Sequence, residues 1–102
     1  MKTYILVDKK PVLVDEKEET FLKFYDDINQ RIVAIDRIGD VVVSTVFLGF
    51  DHNFSDQGPP ILFESLVMGG AMDDEMIRAC TWEEAEKNHK KLVRDIKRFK
   101  GM

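Results

Sequence analysis

Asp51, His52, Asn53 and Phe54 set a carboxylate, an imidazole, a carboxamide and an aromatic ring in consecutive positions, where an apolar run opens into a polar loop. Glu64 follows inside the apolar run "ILFESLVM", and the second histidine, His89, lies in an apolar stripe near the C-terminus. A carboxylate beside an imidazole forms a charge-assisted hydrogen bond and can hold a chosen tautomer, which suits a general base or a ligand-positioning pair. The plainer role is structural: Glu64 and His89 tie a helix to a sheet, and His52 closes the loop, because polar residues on apolar faces are commonly satisfied by neighbours. A metal site can be drawn from Asp51, His52, Asp56, Glu64 and His89. Their spacing is neither that of H-E-x-x-H nor that of an EF-hand, so neither a metal nor another cofactor is expected. Ser44, Ser55, Ser65 and Cys80 are potential nucleophiles, but no G-x-S-x-G elbow surrounds a serine. Trp82 and Phe54 offer stacking faces for a base, although Trp82, at the start of a capped helix, equally suits a core anchor. Gly69-Gly70 is more simply a turn than a phosphate cradle.

These residues need elements to position them. "YILV" and "PVLV" around "DKK" predict a short N-terminal hairpin. Asp15 with Glu18 reads as a capping box, and Phe21, Leu22, Phe24, Tyr25 and Ile28 as the stripe of a helix ending at Asn29-Gln30-Arg31. "IVAIDRI", Gly39-Asp40 and "VVVSTVFLGF" form a hairpin signature, with Gly39 suiting a type II′ turn. The second of these strands is apolar on both faces: Val42, Val46, Leu48 and Phe50 on one, Val41, Val43 and Phe47 on the other. A small domain can hardly cover both, so either this is a central strand between layers or one face meets another subunit, and of the two a homo-oligomer is expected. "ILFESLVM" is a third strand, its alternation grouping Glu64 with Leu62, Leu66 and Met68, and "EMIRAC" is a fourth. Thr81 then caps a helix in which Trp82, Ala85, His89, Leu92, Val93, Ile96 and Phe99 share one face. The expected fold is α+β: a mostly antiparallel four-stranded sheet with two helices packed on it, plus a short N-terminal hairpin, as a single domain over residues 1–102.

Composition narrows the classes. With 102 residues, 44% hydrophobic and 33% charged, the chain describes a soluble globular domain. Its longest weakly polar stretch, residues 41–50, is about half of the ~20 residues a membrane helix needs, and no signal-peptide pattern opens the chain. A single cysteine excludes an intramolecular disulfide and suits a reducing cytoplasm. The net charge of −4 argues against a nucleic-acid coat. Charge is uneven, however: from residue 87 onward Lys87, Lys90, Lys91, Arg94, Lys97, Arg98 and Lys100 stand against Asp95 alone. This end either binds an anion or completes a solvated helix, with Glu83, Glu84 and Glu86 at its start matching the dipole.

Three segments, "VSTVFLGFDHNF", "GPPILFESLVMGG" and "TWEEAEKNH", together resemble a small family of bacteriophage and prophage proteins. Its members show "VSTVFLGxDHNF", "GPPxLFET", a Gly-Gly and "TWEEAExGH". The likeness runs from about Val43 to His89. Ala79-Cys80 replaces the family's Tyr-Ser, and Asn88 its Gly. No catalytic residues are assigned to that family, so none carries over. The resemblance implies a phage product acting in the host bacterial cytoplasm, dispensable for building the particle.

The leading expectation is a non-enzymatic anti-defence protein that sequesters a small nucleotide-like immune signal. Asp51, His52, Asn53, Phe54, Glu64, Trp82 and His89 are its candidate ligand-binding residues, with Lys and Arg pairing phosphates. A second expectation is an inhibitor that binds a host nuclease or CRISPR effector through the acidic stretches "DEKEE" and "MDDE". A third is a small hydrolase using His52 with Asp51 or Glu64, which lacks a nucleophile and a metal motif.

Overall fold

The computed structural model describes residues 2–55 and 57–99. The chain opens with an antiparallel hairpin of β1 (Thr3–Val7) and β2 (Lys10–Val14). Asp8 and Lys9 turn it at φ of 51° and 68°, the two successive left-handed residues that a type I′ connection requires. Next come α1 (Glu19–Asp26), the single turn α2 (Ile28–Arg31), β3 (Ile32–Ile38), β4 (Val41–Phe47), β5 (Phe63–Met68), β6 (Met76–Ala79) and α3 (Trp82–Phe99). The last four strands form one sheet in the order β3-β4-β5-β6, every neighbouring pair antiparallel. This is the expected α+β architecture with its N-terminal hairpin.

Two local expectations are corrected. Asp15 caps a turn rather than α1: its Oδ1 accepts the Lys17 N–H at 2.9 Å, and α1 begins after Glu18 without a side-chain cap. The first helix also stops short of Asn29-Gln30-Arg31. Asp27 leaves helical geometry, and its carboxylate accepts the Asn29 N–H at 3.1 Å, so α2 starts afresh. Both differences have one cause, the short Asp side chain competing for nearby backbone N–H groups. Thr81 does cap α3, accepting the Glu84 N–H at 3.2 Å. Gly39, at φ 62°, opens the β3–β4 turn.

α3 lies across all four strands of the sheet, and α1 packs at one end of the same face, with Phe24 edge-on to Phe47 at 5.9 Å. Alternation along β4 sends Val41, Val43, Thr45 and Phe47 under the helices, and β5 sends Phe63, Ser65 and Val67 with them. The apolar residues form two clusters, one around Phe24, Phe47, Leu62, Phe63, Ala79 and Ala85, the other around Ile38, Val41, Val43, Val67, Leu92 and Ile96. Between them Thr45, Ser65 and His89 make a polar layer, each less than 4% exposed. The α3 stripe is otherwise as its spacing predicts, except that Phe99 is 70% exposed.

The other sheet face has no layer over it among the described residues. Val42, Ser44, Val46, Glu64 and Leu66 are half-buried there, and Ile35, Met68 and Met76 are exposed. Leu62 departs from the predicted alternation: it precedes β5, where its amide bonds the Ala79 carbonyl at 3.1 Å, and it is buried in the core instead of sharing Glu64's face. No helix of the described residues is long and apolar enough to cross a membrane.

Candidate functional site

The polar layer is a hydrogen-bonded chain drawn from four elements. Ser65 Oγ on β5 lies 2.6 Å from Thr45 Oγ1 on β4, which lies 2.7 Å from His89 Nδ1 on α3. On its other side His89 Nε2 lies 2.7 Å from Asp36 Oδ2 on β3. A carboxylate only accepts, so Nε2 carries the proton and donates to Asp36. With a neutral ring, Nδ1 then accepts from Thr45, and Thr45 accepts from Ser65. Each buried polar group thereby has a partner, which is what allows such a layer to interrupt an apolar core.

Hydroxyl, imidazole and carboxylate stand here in the order of a nucleophilic triad. Burial argues against that chemistry. Thr45 is 0% and Ser65 1% exposed, so no acyl or phosphoryl centre can approach either oxygen while α3 stays on the sheet. The open end of the chain is Asp36, whose side chain is 55% exposed. Asp36 and His89 line a groove of about 420 Å³ beside the C-terminal half of α3, together with Lys90, Arg94, Lys97 and Arg98. Lys91 and Arg94 face Asp95 at 3.0 and 3.9 Å, whereas Lys90 and Lys97 meet no carboxylate at ion-pair distance among the described residues. The lysine and arginine side chains nearest Asp95, Lys91 first, hold its carboxyl below the usual range.

The loop after β4 is differently built. Asp51 Oδ1 accepts the N–H groups of Asn53 and Ile61 at 2.8 and 3.0 Å. Asn53 donates to the Gln57 and Pro59 carbonyls and accepts from the Ser55 amide. His52 Nδ1 lies 2.8 Å from the Phe50 carbonyl, an acceptor, so the proton sits on Nδ1. The polar side chains of Asp51 and Asn53 thus hold the loop's own backbone. Phe54 projects from it, 78% exposed, beside an open cavity of about 540 Å³ that Lys2, Tyr4, Asp51 and Asn53 also line. Asp56 lies outside the described residues.

The candidate residues therefore occupy separate places. Asp51 to Phe54 form the loop; Trp82 and His89 belong to α3; Glu64 points away from both. The expected Glu64–His89 pair does not form. The two residues face opposite sides of the sheet, Glu64 bonding Arg78 of β6 at 3.2 Å and His89 bonding Thr45 and Asp36. Nor can the loop and the basic helix end share one pocket within a single chain. The loop lies near Cys80 at the start of α3, and Arg94 is about 18 Å further along the helix at 1.5 Å per residue. Trp82 is a core anchor: its ring meets Phe63 edge-on at 6.3 Å, Lys9 lies over it at 5.5 Å, and its indole N–H is buried without a partner among the described residues. Burial first, then the carboxylates of Glu84 and Asp51, push the Cys80 thiol up, away from nucleophilic use. Among the described residues no cluster of three metal-ligating side chains occurs.

Comparison with protein-family models, curated proteins and solved structures gives no significant match. The site is read from its own chemistry. Asp36, Thr45 and Ser65 are the members that spacing arguments missed. Alternation alone places Thr45 with Val43 and Phe47, Ser65 between Phe63 and Val67, and Asp36 between Ala34 and Ile38, so each had a facing signal. What Asp36 lacked was a partner signal, because nothing in "IVAIDRI" says that its exposed carboxylate meets a helix from the far end of the chain.

Proposed function

We propose that the protein is a non-enzymatic receptor for a small phosphate-bearing, nucleotide-like ligand, bound in the groove between β3 and α3. The carrying observation is the convergence of Lys90, Arg94, Lys97 and Arg98 on one groove in a chain of net charge −4. Concentrating cations in this way favours a compact polyanion over a long nucleic acid, which the acidic remainder would repel. Its volume of about 420 Å³ lies within the usual range for small-molecule sites. Together with the resemblance to phage and prophage proteins, this supports a stoichiometric sink for a host nucleotide signal in a bacterial cytoplasm. Self-association through the open sheet face belongs to the same reading, with exposed Ile35, Met68 and Met76 its support.

Native mass spectrometry of the purified protein with a panel of linear and cyclic nucleotides tests the proposal. Stoichiometric uptake that is lost in Lys97→Glu/Arg98→Glu supports it, and indifference to the whole panel sinks it. A second reading, a protein-binding inhibitor, is favoured by Phe54, whose exposed ring is presented by a loop already fixed by its own hydrogen bonds. Loss of inhibition in Phe54→Ala with the basic groove intact would single it out.

A further inference from the structure

We propose that the groove selects nucleotides whose base carries an exocyclic amine, and that Asp36 is the residue that selects them. This rests on the reading above and deepens it. A receptor for phosphate alone needs cations and N–H donors. Asp36 is neither, yet its carboxylate stands in the same groove as Lys90, Arg94, Lys97 and Arg98. There it weakens the attraction for any anion. Neutralising the lysines and arginines is not its role, because its hydrogen-bond partner is the ring of His89 and it meets none of those side chains at ion-pair distance among the described residues.

The geometry gives Asp36 another use. His89 is buried and held from behind by Thr45 and Ser65, and its Nε2 grips Oδ2 at 2.7 Å. Oδ1 makes no hydrogen bond among the described residues, and the side chain is 55% exposed. One oxygen is therefore fixed by the core while the other is offered to the groove in a set direction. A carboxylate oxygen is an acceptor only, so its complement is a hydrogen-bond donor, and of the donors a nucleotide carries the base amine is the one that differs between bases. A nucleotide carries both groups at its two ends, and can set its phosphate on the lysines and arginines and its base amine on Asp36.

Isothermal titration of the full chain with pyrophosphate, AMP, GMP and purine riboside 5′-monophosphate (AMP without its amine) tests this in the parent protein and in Asp36→Asn. Asn keeps a carbonyl for His89 but replaces the offered acceptor with an amide donor and removes the charge. The parent should prefer AMP to its amine-free analogue by about tenfold, the usual loss when a charged group's hydrogen bond is not made. Asp36→Asn should abolish that preference while binding pyrophosphate more tightly than the parent does. The opposite signs matter, since a merely structural carboxylate would move all four ligands together. Such a parallel change, or equal parental affinity for AMP and its amine-free analogue, overturns amine selection and leaves the anion receptor standing. If none of the four binds either protein, the receptor reading falls and the selection falls with it. Should Asp36→Asn fail to fold, the parental comparison of AMP with its analogue still decides.

Discussion

His89 Nε2 and Asp36 Oδ2 meet at 2.7 Å although the imidazole is 4% exposed and the carboxylate 55%. The contact joins a sealed hydrogen-bond chain to a solvent-facing groove. It also crosses from the last helix to the first strand of the sheet, so whatever happens to Asp36 in the groove is felt where α3 packs on β3. A ligand that engages Asp36 should accordingly tighten the helix on the sheet, and the chain behind His89 is the part most exposed to substitution.

Thr45→Val is close to isosteric, but it leaves both His89 Nδ1 and the Ser65 hydroxyl unpaired in the core. A cost of about 1–3 kcal/mol is expected from the orphaned groups. Ser65→Ala in the Thr45→Val background removes one of those orphans. The double variant should therefore lose less than the sum of the singles, by about 0.5 kcal/mol or more, as groups in one network do. Urea unfolding of the four proteins reads the coupling directly, and strict additivity would show that the hydroxyls do not act through one another.

Gly69 and Gly58 both have positive φ, 94° and 87°, but a Cβ at Gly69 would meet the Asp40 carbonyl oxygen at 2.9 Å, whereas one at Gly58 would find only Asn53 Nδ2 at 3.5 Å. Gly58→Ala should show the left-handed backbone penalty alone, about 1–2 kcal/mol. Gly69→Ala should exceed it, because backbone rather than a movable side chain blocks the space. A thermal midpoint that falls equally in both variants would mean that the β3–β4 turn yields freely.

Much of this fold was legible because two periods repeat cleanly. Period two in "VVVSTVF" and "FESLVM" gives β4 and β5, and the Thr81-x-x-Glu84 box with its stripe gives α3. The site was less legible. Glu64 looked like the odd polar residue on an apolar face, but Arg78 across the strand satisfies it, and a cross-strand partner depends on register. His89 was recognised as anomalous, and its partners were not, because Asp36 is 53 residues away and sits in a strand edge that reads as ordinary surface. The loop misled for the opposite reason: Asp51 and Asn53 are the residue types that bind ligands and also those that tie off a loop's backbone.

Asn53→Ala tests that last point. It removes two bonds that Nδ2 donates to the carbonyls of Gln57 and Pro59 and one that Oδ1 accepts from Ser55. Most of these atoms are exposed, so water can replace the side chain and global stability should fall by less than about 1 kcal/mol. Local order should fall much more. Amide exchange is expected to rise in residues 53–55, 57 and 58 and to stay unchanged in β4, β5 and α3. An unchanged exchange pattern would mean that Gly58, Pro59 and Pro60 shape the loop without Asn53.

Cys80 reports on the far end of α3. Its thiol is pushed up by burial first, then by Glu84 and by Asp51, so at a given pH it holds less thiolate than a free cysteine. Iodoacetamide should therefore modify it more slowly than a model thiol at pH 8, since thiolate is the reacting species. Replacing a neighbouring carboxylate moves the thiol back down, and both Glu84→Gln and Asp51→Asn should speed alkylation. The rise should be larger for Glu84→Gln, the larger electrostatic cause, and neither variant should restore the free rate, because desolvation remains. Asp51→Asn has a second effect, since its Oδ1 anchors Asn53 and Ile61. If its rate overtakes that of Glu84→Gln, the loop has opened over Cys80, and the rigidity that presents Phe54 depends on Asp51.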